Sequence, residues 1–496
     1  MPRPRHRRSG RDRHRPSSRV GRSSSVAPSG QCRADASLCL DIIWGRMMAS
    51  LWFERAWIGN RWERAARLRI ADGRIAAIET GVAANAGDER HRVGLPGLCN
   101  VHSHGFQRGM AGLSERRSRP DDNFWSWREI MYRFLDRLTP DDVAAITAQA
   151  YVEMLEGGFT RVGEFHYLHH DPAGARYADP AEMTGAIAEA GAATGIGLTL
   201  LPVFYAHGDF GAAPPSAGQR RFLNDIDGFA TLLDAARAKL SGDANIGVAP
   251  HSLRAVTPDE LAAVLALSPT GPVHIHAAEQ VKEVADCVAW SGARPVEWLL
   301  GNAAVDDRWC LIHSTHLDEG EAVRLAASGA VAGLCPITEA NLGDGIFPAV
   351  DYLTAGGRFG VGTDSNILID AAGELRALEY SQRLAQRARA LLADEAAPFV
   401  GANLFGRAVD GGARALGVSA GLAVGHPADI MSLDLEHPCF AGTDDATLLD
   451  RWIFAARGGA IDCVWRAGEK RVESGRHVAA DAVAAAYRAC LDRLLA

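Results

Sequence analysis

Leu95-Pro96-Gly97-Leu98-Cys99-Asn100-Val101-His102-Ser103-His104 is a short apolar run that closes on two histidines at alternate positions. In an extended strand successive side chains point to opposite faces, so both imidazoles lie on the same side and one ion can bind both. Taken alone an H-x-H pair is weak grounds for a metal site, because exposed histidines are common. Seven further short apolar runs follow, separated by Ala-rich helical segments: Thr160 to Phe165, Gly197 to Val203, Asn245 to His251, Gly271 to His276, Trp309 to Ser314, Ala330 to Cys335 and Arg358 to Asp364. Eight strands alternating with helices predict a parallel α/β barrel of the TIM type over residues 95–418. The alternative is an open Rossmann-like sheet, and no Gly-rich phosphate loop follows the first strand to support it.

A barrel gathers the carboxyl ends of its strands on one face, where active sites of this fold are built. His276 ends the fifth run, His313 the sixth, and Asp364, within Gly362-Thr363-Asp364-Ser365, the eighth. Imidazoles and a carboxylate suit Zn²⁺ and also admit Fe²⁺ or Mn²⁺. The fourth run ends in Ala249-Pro250-His251 without a bridging lysine, so one metal ion per chain is expected. Glu279 follows His276 by three residues, which brings its carboxylate beside a metal-bound water if the strand ends there. The bland alternative for Glu279 is a first-turn acid favoured by the helix macrodipole.

Outside the barrel, Leu51 to Thr80 alternates in short segments with a turn at Asp72-Gly73, the signature of a β-hairpin. A comparable pattern returns in Asp429 to Leu435 and in Ile461 to Trp465 with a turn at Ala467-Gly468. Residues 47–94 and 419–480 therefore predict one small β domain built from both chain ends, with a C-terminal helix over 481–496. The first 46 residues hold eleven Arg, no Lys and three Asp, and are expected to form a disordered extension. Met47 and Met48 stand just before the first strand-like run, so the preferred reading places the working start there.

The remaining 450 residues carry 41 basic and 57 acidic side chains, a net charge of about −16 that argues against nucleic acid as a partner. The longest uncharged run, Ala190 to Ala206, is interrupted by Gly191, Gly195, Gly197 and Pro202, and reads as a helix end followed by a buried strand rather than a membrane span. Nine scattered cysteines without a C-x-x-C pair suit a reduced cytoplasm.

The ordered set of His102, His104, His276, His313 and Asp364 resembles the amidohydrolase superfamily from about Leu51 onward. Three stretches resemble the formimidoylglutamate deiminases of histidine breakdown: His102-Ser103-His104-Gly105-Phe106-Gln107-Arg108, Phe124-Trp125-Ser126-Trp127-Arg128-Glu129, and Cys335-Pro336-Ile337-Thr338-Glu339-Ala340-Asn341-Leu342-Gly343-Asp344-Gly345. Gly105 stands where that family is expected to carry alanine. The resemblance implies a distorted (β/α)8 barrel with a small β-sandwich domain. It implies zinc held by His102, His104, His276 and Asp364, with Glu279, His313 and Asp364 as catalytic groups. Gln107, Tyr167 and His251 would complete the substrate pocket. The family's substrate has two carboxylates on a glutamate body, for which Arg128 and Arg254 offer bidentate contacts after the first and fourth strands. A surface salt bridge is the alternative for either arginine.

The chief rival is an aminohydrolase acting on a purine, pterin or pyrimidine ring, which paired arginines disfavour. A more remote rival is a barrel that has lost catalysis and only binds, which the complete set of ligands and proton carriers disfavours. A homodimer is expected, since cyclic homo-oligomers are common. His169, His170 and His316 read as solvated loop histidines, and Arg116-Arg117-Ser118-Arg119 as a solvated loop. Trp125 and Trp127 read as packing a lid segment.

Overall fold

In a computed structural model of the protein, the described residues are 49–117, 120 and 122–496. The Arg-rich segment 1–46, Met47, Met48, Ser118 and Arg119 lie outside them, and with them the expectations placed there.

The chain begins with strands β1 (Ala49–Ile58), β2 (Arg61–Ala71), β3 (Arg74–Glu79) and β4 (Glu89–Pro96). The β2–β3 turn has φ of 51° at Asp72 and 74° at Gly73, the pair of positive values that a two-residue type I′ hairpin needs. After β4 the chain enters the barrel strands: β5 (Leu98–Ser103), β6 (Phe159–His166), β7 (Gly197–Phe204), β8 (Asn245–Ile246) with its continuation β9 (Ala249–Pro250), β10 (Val273–Ala277), β11 (Trp309–His313), β12 (Val331–Leu334) and β13 (Arg358–Val361). It then returns to the first sheet with β14 (Ile430–Leu433), β15 (Ile461–Arg466), β16 (Glu469–Glu473) and β17 (Arg476–His477), and ends in the helix Ala480–Leu495.

Strands from the two chain ends join where Met431 of β14 lies opposite Leu95 of β4. They form one eight-stranded sheet in the order β17-β16-β15-β14-β4-β1-β2-β3. The edge strand β3 turns back on the segment before β14, its Ile75 N–H donating to His426 O at 2.9 Å. The layers of the expected sandwich are thus parts of one curled sheet, enclosing Leu51, Phe53, Leu68, Ile70, Ile430 and Trp465. Curling lets a single sheet bury one apolar face without a second one.

The run Leu95 to His104 divides between two strands instead of forming one. Pro96 ends β4, and at Gly97 the chain crosses into the barrel so close to Thr160 that a Cβ at Gly97 would lie 2.1 Å from its side chain. Only glycine fits there.

The barrel consists of two parallel arcs, β5-β6-β7-β8 and β10-β11-β12-β13. Strands such as β6 and β7 are buried on both faces along their whole length, which is why the barrel strands read as apolar runs. Isolated bridges close the ring: Val248 with Val273 and Ser252 with His276 at one seam, and Ser103 with Asp364 at the other. This closure excludes the open-sheet alternative. At the second seam a Cβ on Gly362 would sit 2.8 Å from both the N and the O of His102, so glycine permits the close approach.

The crossover helices start on strong caps. Thr139 with Asp142, Thr257 with Glu260 and Asp318 with Glu321 each form a reciprocal capping box, the first two followed by proline at the first helical turn. Each cap contributes about 1 kcal/mol. One further helix, Phe124–Leu135, is capped by Asn123 and lies over the carboxyl end of the barrel.

Candidate active site

The seam that closes the barrel also assembles the cluster. His104 N–H donates to Asp364 O at 3.0 Å, and Asp364 N–H donates to His102 O at 2.9 Å. Residues distant in sequence by more than 250 positions are thereby backbone neighbours. A buried polar network locks this junction. Asn100 Nδ2 donates to Thr363 Oγ1 at 2.7 Å, Thr363 Oγ1 donates to Asn366 Oδ1 at 2.6 Å, and Asn366 Nδ2 reaches His104 O at 3.1 Å. Every link is a satisfied hydrogen bond away from water, so the network fixes one geometry.

His104 Nδ1 lies 2.9 Å from Phe165 O, and His276 Nδ1 lies 3.0 Å from His251 O. A carbonyl only accepts, so Nδ1 carries the proton and the Nε2 lone pair of each ring faces inward. His276 Nε2 is 3.1 Å from His102 Nε2. Asp364 Oδ1 lies 3.5 Å from His102 Nε2 and 3.3 Å from His104 Nε2. Ligand atoms of the three imidazoles lie within 4.8 Å of one another, all buried. Burial drives the His102 pKa down to about 3 and lowers those of His104 and His276, so the rings are neutral. Burial would raise the Asp364 carboxyl, but His102, His313 and His104 hold it below its ordinary value. Inward lone pairs and a carboxylate crowded about one point fit a divalent cation, which relieves their mutual repulsion.

Beside this cluster stand three more ionisable groups. His313 Nε2 is 3.9 Å from Glu279 Oε1 and 3.8 Å from Asp364 Oδ2. Its Nδ1 lies 3.2 Å from Glu339 Oε1. Burial opposes protonation of His313, yet Glu279, Glu339 and Asp364 raise its pKa to about 10. Burial pushes Glu279 up to about 7, against the pull of His313 and Arg254. Ala278, His313 and Asp364 have φ of 52°, 66° and 45°, left-handed values that cost non-glycine residues about 1–3 kcal/mol each. The surrounding hydrogen bonds hold this strain at the strand ends where the ionisable groups converge.

A small cavity, partly open to solvent, lies over the cluster. All seven remaining candidates from the sequence, Gln107, Arg128, Tyr167, His251, Arg254, Glu279 and His313, line its wall together with Asp364. Gln107 Nε2 donates to Tyr167 Oη at 2.8 Å, while its buried Oε1 has no hydrogen-bond partner among the described residues. The Nε of buried Arg254 is likewise without one, and its Nη2 is 4.0 Å from Glu279 Oε2. Burying a polar atom without a partner is costly, so these groups are poised for a polar ligand. The helix Phe124–Leu135 supplies Phe124, Trp127, Arg128, Met131 and Tyr132 to the roof.

A model of the amidohydrolase family matches residues 93–471. The chain belongs to the amidohydrolase family. A second model, the N-terminal domain of the formimidoylglutamate deiminase HutF, matches residues 48–92 of this amidohydrolase. It is 49% identical to formimidoylglutamate deiminase of Pseudomonas aeruginosa, over 90% of this chain and 100% of the relative. It is similar to the crystal structure of an amidohydrolase from Brucella melitensis at 53% identity and a TM-score of 0.87, covering 90% of this chain and 100% of that one. It shares its fold with an adenosine deaminase from Xanthomonas campestris, solved with bound zinc, at 24% identity and a TM-score of 0.73 over 90% of this chain and 98% of that one.

Two histidines depart from the sequence reading. His169 and His170 are buried, with Nε2 atoms 2.9 Å from Val203 O and 2.7 Å from Leu223 O, and His316 Nε2 is 2.9 Å from Asp344 O. His169 and His170 thus pair with backbone carbonyls in the interior instead of meeting solvent, whereas His316 pairs with its carbonyl while half-buried. Trp127 lines the cavity besides packing the roof. Glu339, which faces His313, is a site residue that the motif alone did not single out. Its signal was available: in Cys335-Pro336-Ile337-Thr338-Glu339 an acid follows a strand end at short spacing, as Glu279 follows His276.

Proposed function

We propose that this amidohydrolase hydrolyses the carbon–nitrogen double bond of N-formimidoyl-L-glutamate, releasing ammonia and leaving N-formyl-L-glutamate. The observation that carries this reading is one cavity in which Arg128 and Arg254 stand beside the imidazole–carboxylate cluster. The arginines take the two carboxylates of the glutamate body, with Gln107, Tyr167 and His251 completing the wall. A planar guanidinium fork suits a carboxylate bidentately and stays charged at any working pH.

His102, His104, His276 and Asp364 would hold one divalent ion, zinc in our reading. An ion there would supply a water acidified enough to attack at neutral pH. Asp364 Oδ2, which faces His313 at 3.8 Å, would serve as the proton acceptor for such a water. His313, protonated between three carboxylates, stabilises the charge that builds on the attacked group. Glu279, with a pKa raised to about 7, can both take up and release a proton near neutrality, and so delivers protons to the departing nitrogen. The oxygen of water becomes the formyl oxygen, the C=N bond is lost, and both hydrogens of water join the imino N–H, which leaves as ammonia.

Ring deaminases of the same family use an equivalent polar set, but two guanidinium groups in the cavity wall, Arg254 buried and Arg128 half-buried, suit a dianion better than a neutral base. No helix among the described residues is long and apolar enough to cross a membrane, and the seven described cysteines are free, in keeping with a reduced cytoplasmic setting. The test is ammonia release by zinc-loaded protein from N-formimidoyl-L-glutamate, beside guanine, adenosine, cytosine and N-formimidoylglycine at equal concentration. Release from the dicarboxylate alone is expected. Release from a ring substrate instead would overturn the arginine assignment.

A further inference from the structure

Trp125 stands one turn before Arg128 on the helix Phe124–Leu135, its backbone N–H donating to the capping Asn123 Oδ1 at 2.9 Å. Three cations surround its ring. The centroid is 5.6 Å from Arg128 Cζ, 5.7 Å from Arg254 Cζ and 5.7 Å from Lys282 Nζ. These belong to three separate elements: the roof helix, the loop after the fourth barrel strand, and the helix Val281–Ser291 after the fifth. All three distances fall within the reach of a cation–π contact.

Two guanidinium groups at one small cavity repel each other until an anion arrives. A carboxylate between them would relieve the repulsion but would occupy the N–H donors that a ligand needs. An indole face attracts cations through its quadrupole while leaving those donors free. Tyr132 adds to this on the same helix: its ring lies 5.2 Å from Arg128 Cζ, and its hydroxyl accepts a hydrogen bond from Arg128 Nε. Arg128, meanwhile, sits over two aromatic rings at once, with its fork directed by both.

We infer that Trp125 is a positioning residue for dicarboxylate recognition, a shared π face that holds Arg128 and Arg254 at the spacing of two carboxylates and ties the roof helix to the barrel rim. The inference rests on the dicarboxylate reading of the cavity. Lys282, exposed at the edge of the same ring and paired with Asp286, extends the positive face outward. Glu279, His313 and Asp364 line the cavity whereas Trp125 stands behind its arginines, so the effect belongs to binding more than to chemistry.

The experiment compares Trp125→Phe, Trp125→Leu and Trp125→Gln in the zinc-loaded full chain, with glutarate binding followed by calorimetry and N-formimidoyl-L-glutamate turnover by ammonia release. Loss of the ring should weaken glutarate binding and raise KM about 10-fold, with kcat within about 3-fold of wild type, and the Phe variant should stay within about 3-fold in both. Zinc content and thermal midpoint identify a variant that has misfolded, and the two ring-less replacements of different polarity guard against relying on one. Wild-type glutarate affinity in a folded Leu or Gln variant would overturn the inference, as would a Phe variant as weak as both. Failure of wild-type protein to bind glutarate would overturn it together with the dicarboxylate reading, whereas normal wild-type binding unchanged by every variant would overturn it alone.

Discussion

Replacing Glu339 with glutamine tests whether a carboxylate behind His313 serves the reaction. Glu339 Oε1 accepts from Cys335 N–H at 2.9 Å and faces His313 Nδ1 at 3.2 Å, and Glu339 is buried. Glutamine keeps a carbonyl oxygen for Cys335 and His313 but removes the charge that supports the imidazolium. A hydrogen bond to a charged group contributes about 1.5–3 kcal/mol. At about 1.36 kcal/mol per tenfold in rate, kcat should fall about 10- to 150-fold. KM should stay within about 3-fold, because Glu339 does not line the cavity. The assay is steady-state ammonia release with zinc content measured on the same sample. Glu339→Ala separates the structural share: it also leaves a buried N–H without a partner, lowering stability by about 1–3 kcal/mol in denaturant titration. Wild-type kcat in Glu339→Gln, or an effect confined to KM, would refute the reasoning.

Gly362→Ala forces a Cβ to within 2.8 Å of the His102 backbone, so the seam must open; stability should fall by about 1–3 kcal/mol, with a parallel loss of zinc affinity measured by chelator competition. Arg254→Met should raise KM for N-formimidoyl-L-glutamate about 10- to 150-fold, by loss of a charge-assisted contact, and initial-rate curves check this. Removing metal with a chelator should abolish ammonia release, and adding zinc back should restore it. Asp88 accepts from Ser50 Oγ at 2.6 Å, Asn85 N–H at 2.7 Å and Arg67 Nε at 3.0 Å, and against the upward push of burial these partners hold its pKa below its ordinary 3.8. A carboxyl lowered on folding stabilises fully above the unfolded value and loses that contribution as pH falls through the folded one. Urea midpoints measured from about pH 5 down to about pH 3 should therefore fall less steeply in Asp88→Asn than in wild type.

What the sequence could reveal depended on how local each feature is. The eight barrel strands were legible because a parallel strand buried on both faces must be apolar along its whole length, and that constraint acts on consecutive residues. The H-x-H pair was legible because alternation puts both rings on one side whatever the strand packs against. Asp72-Gly73 and Ala467-Gly468 were legible as turns because a type I′ hairpin asks for positive φ at both positions, and their values of 51°, 74°, 49° and 75° meet it. The division of Leu95 to His104 at Gly97 was not, since its cause is Thr160, a residue of another strand.

Burial of His169 and His170 was equally hidden: their partners are carbonyls of Val203 and Leu223, on segments that approach only once the barrel has closed. By itself the sequence determined the fold class, the order of metal-binding candidates and the family, because strand period, turn chemistry and motif spacing are properties of neighbouring residues. Tertiary structure alone decided that His104 and Asp364 meet backbone to backbone across a seam, that Glu339 stands behind His313, and that one indole faces three cations from three elements. Those relations are distances between segments far apart in the chain, and only closure of the barrel sets them.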